Sequence, residues 1–133
     1  MANETATAKG VLDRFKDQRT VLLTTYRRDG RPVGTPVNIA VEGDHAFVRT
    51  WDTSWKFKRI RNNPEVEIAP STVRGKVTGP PIRARARVVA GNEAAHAAQV
   101  IVHKYPILHG VFVPLNHMLL NRKTVYFELT GIP

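Results

Sequence analysis

The chain has 133 residues, a formal charge of +9 and no cysteine. That length suits a single domain, residues 1–133, with room for a real core, and the lack of cysteine excludes disulfides, thiolate metal sites and thiol nucleophiles. An excess of 20 Lys and Arg over 11 Asp and Glu points to an anionic partner, whether nucleic acid, a membrane surface or a phosphorylated small molecule.

No apolar run approaches the roughly twenty residues needed to span a bilayer. The opening MANETATAKG is too polar for a signal peptide. A cytoplasmic protein is therefore expected.

Lys9 to Gln18 carries Val11, Leu12 and Phe15 at helical spacing and predicts a short amphipathic helix. Thr20 to Tyr26 is a β-branched run that predicts a buried strand. Arg28-Asp29-Gly30-Arg31 holds a tight-hairpin signal. A second strand is expected from Pro32 to Val41, where Gly34 and Pro36 mark a sheet edge or a bulge. Glu42-Gly43-Asp44 predicts a turn, and His45 to Trp51 a third strand.

The stretch from Thr50 to Pro64 predicts a short helix with Ser54 as N-cap and Pro64 as stop signal after Asn63. Lys56 falls in its first turn, where the positive end of the helix dipole disfavours a cation unless an anion is bound there too. Two readings follow. Either the first turn holds a phosphate, or Lys56, Lys58, Arg59 and Arg61 are a solvated basic face.

Val66 to Ala69 predicts a fourth strand, followed by a polar loop, Ser71 to Gly79, that contains Arg74-Gly75-Lys76. Ile82 to Val89 alternates apolar residues with Arg83, Arg85 and Arg87, so one face is buried and one basic. A solvated outer surface is preferred there over a polyanion track. Asn92 is expected to cap a helix with Glu93 in its first turn, running to about Lys104. From Tyr105 to Leu120, the breaks at Pro106, Gly110 and Pro114 suggest two short helices that cover a core or a dimer interface. Thr124 to Leu129 closes the chain as a strand. The expected architecture is mainly β, an antiparallel barrel of about six strands with helices at its edges.

Side-chain chemistry is sparse. The five histidines, His45, His96, His103, His109 and His117, show no paired-ligand spacing, so no metal is expected. GxSxG, P-loop and GxGxxG motifs are absent, and the few acids lie near turns and helix starts, so no catalytic residue is named. Such a protein can still be an enzyme when a bound cofactor performs the reaction.

The series T24-T-Y-R-R-D-G-R-P-V-G-T-P-V-N38, V48-R-T-W-D-T-S-W-K-F-K-R-I-R-N-N-P64 and A69-P-S-T-V-R-G-K-V-T-G79 resembles the split β-barrel flavin-binding proteins related to pyridoxamine phosphate oxidase. More closely, it resembles their actinobacterial branch, which uses the deazaflavin coenzyme F420. The similarity runs over nearly the whole chain, and its most specific part is the order strand, Ser-x-Lys, basic helix, Asn-Pro, strand, Arg-Gly-Lys loop. It implies a six-stranded split barrel of the FMN-binding type, forming a homodimer with the cofactor at the interface.

By this resemblance, Ser54 and Lys56, helped by Arg49 and Thr50, would hold the cofactor phosphate. Pro36, Val37 and Asn38 would lie along the deazaflavin ring, while Arg74 and Lys76 add positive charge toward the phosphate or the polyglutamate tail. Related sequences carry a bulkier, often aromatic residue at the position of Asn38, so a more open pocket or an altered substrate choice is expected. Trp51 and Trp55 are expected to be packed in the interior rather than to shape the substrate side.

The implied activity is an F420-dependent oxidoreductase that transfers a hydride between the deazaflavin and an unsaturated or conjugated organic substrate. An FMN-binding oxidase or reductase of the same fold is the alternative, as is a protein that only stores cofactor. A nucleic-acid-binding barrel is disfavoured, because stacking platforms interleave aromatics with basic residues and the Arg83 to Arg87 strand has none.

Overall fold

A computed structural model describes residues 10–51, 55–105 and 124–132. Its strands are β1 (Thr20–Tyr26), β2 (Pro32–Asn38), β3 (Ala40–Glu42), β4 (His45–Trp51), β5 (Glu65–Pro70), β6 (Ile82–Val89) and β7 (Thr124–Gly131). The helices are α1 (Trp55–Asn62) and α2 (Gly91–Lys104). All strand pairings are antiparallel, in the order β2-β1-β5-β6-β7-β4-β3.

This order forces the sheet to curl. Its two edges, β2 and β3, are separated in the chain by Ile39 alone, so they must be brought together, and β2 does reach β4. The described residues form seven strands rather than the expected six because Pro32 to Val41 is two strands. Ile39 leaves the β2 ladder, and its N–H donates to the Arg19 carbonyl, so the chain turns a corner there. Pro36 lies on an edge strand, as its missing N–H requires. At Gly34 a Cβ would sit 3.0 Å from Leu22 Cδ2 on β1, so a larger residue there would require the Leu22 side chain to shift.

Curling creates two cores. Inside the barrel, alternate residues Val21, Leu23, Val48, Val66, Ile68, Ala84, Ala86, Phe127 and Leu129 meet, with Ile60 of α1 at one end. Outside it, α2 covers Ala40, Phe47 and Val89 with Ala97 and Ile101. Leu12 and Phe15 also enter the barrel core, and within the helix expected over Lys9 to Gln18 the described residues 11–18 form a 3-10 turn, Asp13–Phe15, in place of a continuous α-helix. Its bonds run three residues back, as in Phe15 N–H to Leu12 O, and a three-residue period puts Leu12 and Phe15 on one face.

The turn at Asp29-Gly30 forms as predicted, with Gly30 at φ +89° and the Asp29 carboxylate accepting from Arg31 N–H. Helix α2 begins earlier than expected. Ala90 is its N-cap without a side-chain hydrogen bond, so Asn92 lies inside the first turn beside Glu93. Arg83, Arg85 and Arg87 alternate with buried Ala84 and Ala86 as predicted. Arg83 pairs with Glu65 at 3.3 Å, and Arg87 with Glu93 at 2.6 Å and Glu128 at 3.0 Å, which matches the solvated outer face. The segment from Pro106 to Pro114, with its expected short helices, lies outside the described residues.

A polar network joins α2 to the β3–β4 edge. His96 Nε2 lies 2.6 Å and His45 Nε2 3.2 Å from Glu42 Oε1, and His45 Nδ1 lies 3.0 Å from Glu128 Oε2. The hydrogen bond from His96 is the largest influence on the Glu42 carboxyl and, with a lesser one from His45, holds it below the ordinary 4.5 although burial opposes them. A depressed carboxyl pKa stabilises the fold above the unfolded value, and that stabilisation is lost as pH falls through the folded one. In an NMR titration, the Glu42 carboxyl should therefore titrate below 4.5 and move upward in His96→Ala. An unchanged midpoint would show that His96 does not hold Glu42 in solution.

Candidate cofactor site

Helix α1 starts four residues after the end of β4, and its first turn brings Lys56 beside the end of that strand and the last three residues of β2. A cavity of about 240 Å³ lies there, lined by Pro36, Val37, Asn38, Arg49, Thr50, Lys56 and Ile101. Six of the nine residues expected to bind cofactor are thus brought to one place by three separate elements. Ser54 lies outside the described residues. Arg74 and Lys76 are solvent-exposed and do not line this cavity, although Gly75 between them lies near Pro36. The loop is closed by Thr72, whose N–H donates to Lys76 O and whose hydroxyl accepts from Lys76 N–H.

The four basic residues of α1 differ sharply. Lys58 Nζ lies 4.6 Å from the centre of the Trp55 ring, Arg61 lies over Phe57 at 5.5 Å, and Arg59 Nε donates to Thr25 Oγ1. Lys56 is half-buried and pairs with no carboxylate among the described residues. Burial, and then the nearby Arg59 charge, lowers its ammonium pKa. Arg49 is also half-buried, its guanidinium pKa lowered by burial and partly restored by Tyr126 beside it on β7. Two desolvated cations therefore face one small cavity that no acid among the described residues lines. An anion there would recover the cost of burying them.

Lys56 also lines a second, larger cavity of about 870 Å³, together with Arg27, Arg28, Val33, Thr35, Trp55, Lys58, Arg59 and Asn62. Again no carboxylate among the described residues is in the lining. The two cavities adjoin at Lys56, along the face of β2 that carries Val33, Thr35 and Val37. Trp55 is 70% exposed there, which overturns the expectation that it would be packed in the interior.

Ile101 was not expected at the site. Its only sequence signal is the i, i+4 spacing with Ala97, which marks the face of α2 turned to the sheet but not what lies at its end. Among the described residues, no group of three or more His, Asp or Glu is placed to hold a metal ion, and no helix is long and apolar enough to cross a membrane.

The family described as Pyridoxamine 5'-phosphate oxidase matches residues 8–130. No curated protein matches the chain. Among solved structures, the heme storage protein HutZ from Vibrio cholerae is similar with a TM-score of 0.67 at 16% identity, covering 95% of this chain and 91% of that one. A conserved hypothetical protein from Mycobacterium tuberculosis has a TM-score of 0.64 at 22% identity, covering 92% and 79%. A structure named F420 Reductase has a TM-score of 0.59 at 15% identity, covering 92% and 93%. At these identities the likeness is one of fold.

Proposed function

Because the chain belongs to the pyridoxamine 5'-phosphate oxidase family, we propose that it is an F420-dependent oxidoreductase, acting as a reductase on an unsaturated or conjugated organic substrate. The observation that carries this reading is the pair of half-buried cations, Arg49 and Lys56, without a carboxylate partner among the described residues, in a cavity walled by Pro36, Val37 and Asn38. Lys56 and Arg49 would hold the cofactor phosphate, with Ser54 and the Thr50 strand beside them. Pro36 to Asn38 would lie along the ring. When bound, the deazaflavin supplies the hydride, and this chain's residues bind and orient it and exclude water.

The larger, cation-lined cavity favours F420 over FMN. FMN ends at its phosphate and would leave Arg27, Arg28, Lys58 and Arg59 without an anion, whereas the polyglutamate tail of F420 extends beyond the phosphate and would meet them. A chamber of about 240 Å³ is also smaller than the roughly 300 Å³ at which ligand pockets begin. One protomer alone would enclose only part of the ring, which supports a homodimer in which the partner completes the site and the Arg74 to Lys76 loop reaches across. Exposed Trp55 and Val73 are apolar surface available to that interface.

Titration of the purified protein with F420 and with FMN, followed by fluorescence, tests the reading. F420 is expected to bind tighter. Tighter FMN binding with no detectable F420 binding would assign the protein to the flavin branch of the same fold. Binding of F420 without oxidation of its reduced form by any quinone or enone would instead leave a cofactor-storing protein.

A further inference from the structure

The corner at Ile39 is held by the end of α2. Lys104 Nζ donates to the carbonyls of Gln18 at 2.6 Å and Ile39 at 2.8 Å, and the Tyr105 hydroxyl lies 2.6 Å from the same Ile39 oxygen and 3.1 Å from Arg19 O. Both groups are substantially buried. Burial lowers the Lys104 ammonium pKa, with Asp17 acting against it, and pushes the Tyr105 phenol up to about 12. A lysine placed in the last turn also suits the negative end of the helix dipole. The chain thus commits two polar side chains to one carbonyl, at the point where the sheet edges join.

That carbonyl follows directly on Asn38, the last of the three residues that line the small cavity from β2. Asn38 is further tied by the Thr20 hydroxyl, 3.3 Å from its Oδ1. One helical turn before Lys104, Ile101 lines the cavity from the other side. Helix α2 therefore touches the cavity directly through Ile101 and fixes its β2 wall through Lys104 and Tyr105.

We propose that Lys104 and Tyr105 are positioning residues that set the β2 wall relative to the Arg49 and Lys56 cations, and so align the cofactor ring with its phosphate. The proposal rests on the cofactor reading above. If the clamp is released, the cations remain where β4 and α1 put them, but the Pro36 to Asn38 wall no longer stands at the fixed distance the ring needs. Phosphate recognition and ring recognition should then separate.

The test measures affinity for F420 and for inorganic phosphate in the wild type, Lys104→Met, Lys104→Arg, Tyr105→Phe and Lys56→Ala, with melting curves for each. Lys104→Met should weaken F420 binding about tenfold, the size of one lost charge-assisted hydrogen bond. It should leave phosphate affinity within about twofold, and Lys104→Arg, which keeps charge and donors, should restore most of the loss. Tyr105→Phe, which removes one of the two donors, should give a smaller loss of the same kind and keeps the test decisive if Lys104→Met fails to fold. Lys56→Ala should weaken both ligands. F420 affinity unchanged in Lys104→Met and Tyr105→Phe, with Lys56→Ala still impaired, would overturn the positioning role while leaving the cofactor reading intact. Failure of the wild type to bind F420 or FMN would overturn both.

Discussion

Lys56→Ala is expected to weaken F420 binding about tenfold or more, while Lys58→Ala changes it no more than about threefold. The difference follows from their surroundings rather than their charge. Lys58 is exposed and already rests on the Trp55 ring, where water and salt screen what it offers to a ligand. Lys56 is half-buried with no counter-ion among the described residues, and a charge-assisted contact from such a group is worth roughly 1.5 to 3 kcal/mol. Equilibrium titration of the two variants checks this. Equal small effects would place the phosphate elsewhere.

Phe127→Ala is expected to destabilise the fold by about 3 to 5 kcal/mol, the cost of a large cavity in a core that cannot collapse around it. Phe127 is 1% exposed at the centre of β7, paired with Val48 on one side and Val88 on the other, and its ring lies 6.2 Å from that of Phe57 on α1. The same ring therefore supports both the barrel interior and the helix that carries Lys56. Chemical denaturation should show the loss directly. A change below about 1 kcal/mol would mean that the interior repacks and that α1 is positioned by other contacts.

Much of the barrel was legible because Thr20–Tyr26 is a β-branched run, Ile82–Val89 carries a local period of two, and turn signals such as Asp29-Gly30 separate the early strands. Ile39 was not, because breaking Pro32 to Val41 into two strands depends on the far side of the sheet coming round to meet it, a contact that no neighbouring residue encodes. The 3-10 turn at Asp13–Phe15 escaped for a similar reason. Leu12 and Phe15 fit either a helix or a single tight turn, and the barrel end decides which.

At the site, the positions along β2, β4 and α1 were legible from motif order, and the structure gathers Pro36, Val37, Asn38, Arg49, Thr50 and Lys56 around one cavity. What sequence could not rank was the burial of the α1 cations. Lys56, Lys58, Arg59 and Arg61 read alike until their partners are known, and only the fold leaves Lys56 without one among the described residues. Ile101 and the Lys104–Tyr105 clamp were equally hidden, since hydrogen bonds to Gln18 and Ile39 span most of the chain.

On the function proposed above, Arg49 and Lys56 hold the phosphate of a deazaflavin cofactor. Comparing the affinity of the protein for F420 with its affinity for the phosphate-free deazaflavin riboside tests this most directly. F420 is expected to bind at least about tenfold tighter at low salt, with the advantage lost in Lys56→Ala. Equal affinities for the two compounds, or an advantage that survives Lys56→Ala, would contradict it.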